Sequence, residues 1–405
     1  MQFFKDLSLS TFTAGFVAVL VGFTSSVAIV FQAALAFGAT PAMVASWMWA
    51  LGLGMGFCSL VPSLWLKKPV MVAWSTPGAA VLATAGAVGG FSMNEAVGAF
   101  IACAALITLC GATGWFERVM NRIPVALASA LLAGVLARFA LSAFTAAQTA
   151  LALVVTMLLT YLVGRRFMPR YAVPLTLLIA IIFVAFGAGF TGAAVAFDLT
   201  YPVYVQPVFT VPAFVSLALP LFVVTMASQN LPGVAAIQAA GFGDERARGG
   251  DAGIPVSKVI TLTGLATLLL APFGAFALNL SAITAAICMG PEAHPKPERR
   301  YTAAVSCGAM YVVVGLFGAA ITGVLTAFPK ELVAAIAGLA LLGTIGGAIT
   351  SAVHSESHRE AALITFLVTL SGVVVAGVGS AFWGVVAGAI ALLVQHYGKT
   401  SPPRA

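Results

Sequence analysis

The sequence predicts an all-α membrane protein that crosses the bilayer many times. Of its 405 residues, 61% are hydrophobic and only 8% are charged, whereas about 25% of residues are charged in soluble globular domains. Apolar stretches long enough to cross about 30 Å of hydrocarbon recur along the whole chain. Lys and Arg are spread one to three per loop, which is typical of membrane orientation rather than of nucleic-acid binding. We therefore expect a lipid bilayer, and no nucleic acid, as a partner.

Turn residues and charges divide the chain into fourteen candidate transmembrane segments. Several starts carry helix-capping signals: Thr40-Pro41 offers a cap followed by proline at the first helical position. Ser92 to Glu95 and Ser357 to Glu360 read as capping boxes. In chain order, segments 1 to 14 are expected at residues 12–36, 42–61, 70–88, 95–115, 123–141, 148–164, 173–189, 212–240, 256–271, 273–290, 301–325, 331–348, 360–377 and 382–397.

The basic residues predict the orientation of the chain. With fourteen segments and the N-terminus inside, all but two of the 19 Lys and Arg fall on the inner side. The exceptions are Lys330, outside, and Arg138, within segment 5. We therefore expect a multi-pass protein of the cytoplasmic (inner) membrane with both termini in the cytoplasm. The cysteines lack metal-ligand spacing. His354 and His358 stand at i and i+4 with a glutamate between them, which resembles a metal-binding pattern, but they lie in a loop that we interpret as solvated. No metal, cofactor or enzyme activity is therefore expected.

Two parts of the chain resemble each other. "FQAALAFG" at residues 31–38 matches "IQAAGFG" at 237–243, and each is followed at similar spacing by a polar interruption, at 75–86 and at 279–290. The proposed repeats, residues 1–200 and 201–405, would each hold seven segments. Because seven is odd, the second repeat would be inverted relative to the first. Such seven-plus-seven inverted repeats are typical of secondary transporters, whose sites lie near the membrane midplane between broken helices.

Segments 3 and 10 are predicted to be half-helices. Pro77 removes a backbone donor and favours extended backbone before it, so a half-helix is expected to start at Pro77. Asn279 to Ser281 would interrupt segment 10 in the same way. Irregular backbone at this depth is tolerated only where it is buried in protein or lines a cavity. The two half-helix N-termini would meet at the midplane, where their partial positive charge suits an anion.

The polar residues of these interruptions are the candidate substrate ligands. Segment 8 adds two amides beside Pro232, and segment 1 adds an amide and hydroxyls at similar depth. The candidates are Ser75, Thr76 and Gly78 in segment 3, Asn279 and Ser281 in segment 10, Gln229 and Asn230 in segment 8, and Gln32 and Ser25 in segment 1.

Three motifs carry a resemblance to a known family. "WSTPGA" at residues 74–79, "SQNLPG" at 228–233 and "NLSAITAAICMG" at 279–290, in this order, resemble the benzoate/proton symporter family often called BenE. That family is related in fold to uracil/nucleobase and sulfate transporters. The resemblance implies a core domain from 12–115 and 212–325 and a gate domain from 123–189 and 331–397. It also implies import of benzoate or a similar small aromatic carboxylate with a proton, by alternating access.

One departure from the nucleobase branch bears on the substrate. Those transporters typically carry carboxylates in segments 8 and 10, where this chain has Gln229, Asn230 and Asn279. A carboxylate would repel an anionic substrate, whereas an amide can bind it, so the difference favours an organic carboxylate over a nucleobase. The proton carrier is left open between the substrate itself and a rim group such as Glu95 or Glu331. A proton-coupled nucleobase or inorganic-anion transporter and a passive anion channel are the alternatives. A homodimer is suggested only by analogy with related folds.

Overall fold

The computed structural model describes residues 2–24, 26–88, 90–120, 124–168, 171–186, 199–243, 252–318, 328–373, 375 and 380–396. Helices dominate this part of the chain, and one two-stranded sheet joins its halves. The elements are α1 (Gln2–Asp6), α2 (Leu9–Thr24), α3 (Val27–Ala36), α4 (Pro41–Leu66), β1 (Val72–Trp74), α5 (Thr76–Val88), α6 (Met93–Thr113), α7 (Trp115–Met120), α8 (Val125–Thr145), α9 (Ala147–Phe167), α10 (Ala172–Phe186), α11 (Val211–Ala239), α12 (Val256–Leu270), β2 (Leu278–Leu280), α13 (Ile283–Met289), α14 (Tyr301–Leu316), α15 (Lys330–Val353), α16 (Arg359–Ser371) and α17 (Ser380–His396).

Length and composition identify the helices that are able to cross a membrane. Among the described residues, five helices pass, and a sixth is added if α15, bent by 41° between Gly343 and Ile345, counts as one span. The other predicted segments coincide with shorter helices, with the 21-residue helix α9, which is not among those that pass, or with a strand followed by a helix. The structure is therefore that of a largely helical membrane protein, and the count of fourteen spans in an inverted repeat stays a prediction.

Two of the three predicted helix caps are confirmed. The Thr40 hydroxyl accepts a hydrogen bond from the third residue of α4, and Ser92 and Glu95 form a reciprocal capping box at the start of α6. The prediction for Ser357 is wrong. A short 3₁₀ turn precedes α16, whose N-cap position is taken by His358, and the Ser357 hydroxyl bonds to the His358 ring instead (3.1 Å).

The first predicted segment is not one continuous helix. It divides into α2 and α3, and Ser26 at the junction has a non-helical backbone (φ −142°). The Ser26 hydroxyl donates to the carbonyl of Gly22 (3.0 Å) and accepts from the indole N–H of Trp74 (2.9 Å). Because a hydroxyl can satisfy backbone groups that a helix would otherwise pair, it makes the break tolerable in a buried position.

Segment 8 is widened rather than broken. Helix α11 contains two π-helical turns, Phe214–Ala218 and Met226–Asn230, and the backbone N–H of Leu231 bonds to the carbonyl of Met226. The second turn comes just before Pro232, which lacks the N–H that a regular helix would pair with the carbonyl four residues earlier. Single π-turns of this kind occur frequently at functional sites.

Glycines allow two long helices to pack closely. Helices α4 and α14 pack along most of their length. A Cβ atom added to Gly52 would lie 2.6 Å from the Cα of Gly315, and one added to Gly56 would lie 2.8 Å from the carbonyl oxygen of Gly308. This packing of small residues brings backbones together in the way common between membrane helices. Other extensive pairs are α8 with α15, α6 with α12, and α16 with α17.

Candidate functional site

The two predicted interruptions pair with each other as a short antiparallel ribbon. Extended backbone was expected on both sides, and β1 and β2 provide it. The backbone N–H groups of Ser75 and Ser281 continue the ladder beyond the strands (3.1 and 3.0 Å). Helix α5 starts at Thr76, one residue earlier than predicted, and α13 starts at Ile283. The register pairs Val72 with Leu280, Ala73 with Asn279, and Trp74 with Leu278.

Side chains from neighbouring helices satisfy the outer edges of this ribbon. The Ser59 hydroxyl of α4 accepts from the backbone N–H of Val72 (3.0 Å). On the other edge, Thr267 of α12 accepts from the first residue of β2 (3.2 Å), and Asn230 of α11 accepts from its last residue (2.9 Å). An unpaired backbone group is costly in a dry interior, and an isolated two-stranded ribbon leaves many. Side chains of these helices therefore make the hydrogen bonds that neighbouring strands would make in a larger sheet.

The N-terminus of α5 is capped by the residue that precedes it. The buried Ser75 hydroxyl accepts a hydrogen bond from the backbone N–H of Gly78 (3.1 Å), which is the geometry of a helix N-cap. It also accepts from the hydroxyl of Thr225 on α11 (2.9 Å). Ser75 thus accepts two hydrogen bonds within the protein, and the bond from Gly78 fixes where α5 begins.

A cavity of about 580 Å³ lies between the ribbon and the surrounding helices. This volume is in the range of small-molecule sites. Residues at both half-helix starts line it, together with Trp74 of β1 and an apolar wall that includes Ile29 and Met55. Hydroxyl groups make up most of its polar lining: Ser26, Thr76, Ser142, Ser228, Ser281, Thr284, Tyr311, Thr369 and Ser380.

The cavity wall is polar but uncharged. Among its described lining residues there is no Asp, Glu, Lys, Arg or His, and Gln229 supplies the only side-chain amide. Hydroxyl and amide groups can donate to a carboxylate and can equally accept from a protonated acid. The apolar surface beside them can receive a ring, so the geometry suits a small molecule with one polar end.

Some of the predicted site residues line the cavity and others do not. Thr76, Gln229 and Ser281 line the cavity, and the Ser281 hydroxyl also accepts from that of Thr284 (2.6 Å). Gln32 is exposed on α3 and does not reach the cavity, and Ser25 lies outside the described residues. Four more are buried and do not line it: Ser75, Gly78, Asn230 and Asn279.

Asn279 lies in the middle of β2 and is fully buried. Its amide Nδ2 donates to the carbonyl of Leu280 (2.8 Å), and its Oδ1 has no hydrogen-bond partner among the described residues. Backbone pairing to β1 occupies its main chain. Asn279 therefore belongs to the wall that supports the cavity rather than to its surface.

Sequence reasoning missed most of the hydroxyl lining. Ser142, Thr369 and Ser380 come from α8, α16 and α17, whose sequences contain no breaking motif near them. Isolated hydroxyls are common in membrane helices, where they usually bond to their own backbone. Trp74, Ser228 and Thr284 stand inside the motifs "WSTPGA", "SQNLPG" and "NLSAITAAICMG", and this position was the signal that could have placed them at the site.

The end of α13 is held by a buried cation. The Arg300 guanidinium donates to the carbonyl of Met289, the last residue of α13, and to that of His294 (both 2.8 Å). Burial lowers the pKa of Arg300, and the nearby Glu298 partly opposes this; from so high an ordinary value, the guanidinium stays charged at neutral pH. A cation there offsets the partial negative charge at the helix C-terminus.

Neither rim carboxylate considered as a proton carrier lines the cavity. Glu95 is occupied by its capping box with Ser92 and by the hydroxyl of Thr210 (3.1 Å). Glu331 accepts from the hydroxyl of Thr149 (3.1 Å). Both therefore have local partners at helix ends.

Comparisons with known proteins agree with this architecture. The family described as BenE, "Benzoate membrane transport protein", matches residues 5–394. The chain is 48% identical to the "Inner membrane protein YdcO" of Escherichia coli over 95% of its length and 96% of that protein. It is 38% identical to the "Benzoate membrane transport protein" of Acinetobacter baylyi over 98% of both chains.

A solved structure shares the fold at much lower sequence identity. SLC26A9 superposes with a TM-score of 0.51 at 12% identity, over 96% of this chain and 65% of that one. The family match spans nearly the whole sequence, and apolar helices of membrane-spanning length lie within it. This protein is therefore a member of the BenE family of benzoate membrane transport proteins.

Proposed function

We propose that this protein is a secondary active transporter of the inner membrane that imports benzoate or a similar small aromatic carboxylate together with a proton. One observation carries the proposal. A single cavity of about 580 Å³ brings together the starts of two half-helices, uncharged hydrogen-bonding groups and apolar surface. The carboxylate would bind to Thr76, Ser281 and Gln229, and the ring would contact the apolar wall.

The substrate class is supported by the chemistry of the wall and by relationship. A buried carboxylate would repel a benzoate-like anion, and the described lining has none. The Acinetobacter relative carries benzoate transport in its name. Because the described lining also has no carboxylate or histidine to hold a proton, we propose that the substrate itself takes up the proton and enters as the neutral acid.

Alternating access would move two bodies against each other. We propose a core domain of residues 12–115 and 212–325 and a gate domain of residues 123–189 and 331–397, in two inverted repeats with both termini in the cytoplasm. The packing of α4 and α6 against α14 and α12, and of α8 against α15, supports this division. Residues of both proposed domains line the cavity, so a rocking motion of one domain against the other would open it to one side of the membrane at a time.

The test is uptake of labelled benzoate into proteoliposomes of the purified protein, with and without an inward proton gradient. We expect benzoate to accumulate above its equilibrium level when the gradient is present, and we expect only aromatic acids to compete with it. Benzoate that equilibrates without accumulation would point to a passive channel. Competition by uracil or sulfate, or an absence of benzoate uptake, would favour a nucleobase or inorganic-anion transporter of the same fold.

A further inference from the structure

Helix α11 contacts both broken segments through one buried polar side chain each. The Thr225 hydroxyl donates to that of Ser75, the cap of α5 (2.9 Å). The Asn230 Oδ1 accepts from the backbone N–H of Leu280 at the end of β2 (2.9 Å). Thr225, Asn230 and Ser75 have no exposed surface. Because a buried polar group that loses its partner is costly, these two bonds resist movement of α11 against either segment.

The π-turn of α11 allows both contacts to form. Thr225 and Asn230 are five positions apart, which in an α-helix of 3.6 residues per turn directs side chains roughly 140° apart. The wider turn, closed by the Leu231 N–H on the Met226 carbonyl, reduces that angle. Within the same turn Gln229 faces the cavity. The turn thus separates residues that hold the segments from a residue that lines the site.

Close packing surrounds both bonds. A Cβ atom added to Gly78 on α5 would lie 2.6 Å from the Leu221 side chain of α11. One added to Gly233 of α11 would lie 2.6 Å from the Cβ of Leu280 and 3.0 Å from its carbonyl oxygen. Helix α11 therefore touches each segment at van der Waals distance, with a directional bond beside each contact.

We propose that Thr225 and Asn230 are positioning residues for substrate binding. Neither lines the cavity, yet through Ser75 and Leu280 they hold the polar groups that do, Thr76 and Ser281. The pair fixes the separation of these groups and so sets the affinity for the substrate's polar end. This inference rests on the proposed function, because it takes the cavity to be the substrate site.

A matched pair of substitutions at Thr225 tests the inference. Thr225→Val keeps the shape and removes the hydroxyl, and Thr225→Ser keeps the hydroxyl. We expect Thr225→Val to raise the KM for benzoate about fivefold, the effect of one lost hydrogen bond, with Vmax within about twofold of wild type. Thr225→Ser should restore the wild-type KM. Thr263→Val is the control, because that buried hydroxyl bonds only within its own helix.

Hydrogen exchange provides a readout that does not depend on the substrate. In Asn230→Ala, amides at 278–281 should exchange faster than in wild type, and the amides of Val70 and Val72, held by serines of α4, should not. A wild-type KM in Thr225→Val, in a protein that transports benzoate, would overturn the inference. If wild type transports no benzoate, the proposed function fails, and unchanged exchange in Asn230→Ala would separately overturn the positioning role.

Discussion

The two broken segments follow one plan but are anchored at opposite ends. Helix α5 is held at its start, where the Ser75 hydroxyl caps it and bonds to α11. Helix α13 follows Ala282, which provides no capping side chain, and is held at its end, where Arg300 bonds to Met289. Similar sequence interruptions therefore do not imply similar roles for their polar residues. In the first segment the Ser75 hydroxyl bonds to Gly78 and Thr225, whereas in the second segment Ser281 lines the cavity.

Contact with α11 also differs between the segments. A Cβ atom on Gly78 would meet the tip of the Leu221 side chain and the side chain of Ser75 (2.8 Å to Oγ and 2.9 Å to Cβ), whereas one on Gly233 would meet the Cβ and the backbone of Leu280 in β2. Side chains can shift by small rotations, but the backbone of a strand that is hydrogen-bonded on both edges cannot. The contact with β2 is therefore expected to be the less tolerant of the two.

Gly233→Ala should have the greatest effect. The added methyl overlaps β2, and overpacking of this kind costs about 1–3 kcal/mol. We expect benzoate uptake to fall roughly tenfold or more and the unfolding temperature in detergent to drop. Gly78→Ala is the matched comparison, and it should show a smaller loss of benzoate uptake and a smaller drop in unfolding temperature. Equal losses in the two variants would contradict the difference between the segments.

Arg300→Gln should destabilise the second segment, with a smaller effect on benzoate uptake than Gly233→Ala. Removing the guanidinium takes away charged hydrogen bonds, each worth about 1.5–3 kcal/mol, and the favourable charge at the end of α13. Thermal unfolding in detergent measures the loss. Arg299→Gln is the control, because Arg299 is partly exposed and pairs with Asp6 at 3.5 Å, so a change below about 1 kcal/mol is expected. A similar loss in both variants would mean that Arg300 does not specifically anchor α13.

Ser75→Ala and Ser281→Ala should have the smallest effects on stability, and they should differ in kind. Loss of the Ser75 cap should lower stability by about 1 kcal/mol. Because the same change removes the bond from Thr225, it should also raise the KM for benzoate, as in Thr225→Val. Loss of the Ser281 hydroxyl should raise the KM for benzoate a few-fold, the effect of about one hydrogen bond, with unchanged unfolding temperature. Unfolding and uptake curves on the same preparations separate the two outcomes. An unchanged unfolding temperature in Ser75→Ala would contradict its role as a cap, and a lowered one in Ser281→Ala would contradict its assignment to the cavity surface.

The sequence was sufficient to predict the class of protein, the main interruptions and two of the three helix caps. The membrane constrains these features strongly, because charged side chains and unpaired backbone groups are energetically costly in hydrocarbon. Any polar or breaking cluster in an apolar segment therefore marks a place where the chain must bond to something. This is why "WSTPGA" and the interruption at 279–281 predicted extended backbone followed by half-helices, whereas the pairing of the two stretches into a ribbon was not predicted.

What those bonds connect depended on the three-dimensional arrangement. Asn230 and Gln229 are adjacent in sequence and chemically alike, yet one pairs with β2 and the other faces the cavity, because a π-turn sets their directions. Gln32, aligned with Gln238 in the repeat, is exposed, and Ser142 and Ser380 reach the cavity from helices without any motif. Local sequence specifies which groups need partners, and only the packing of distant helices determines which partner each one finds.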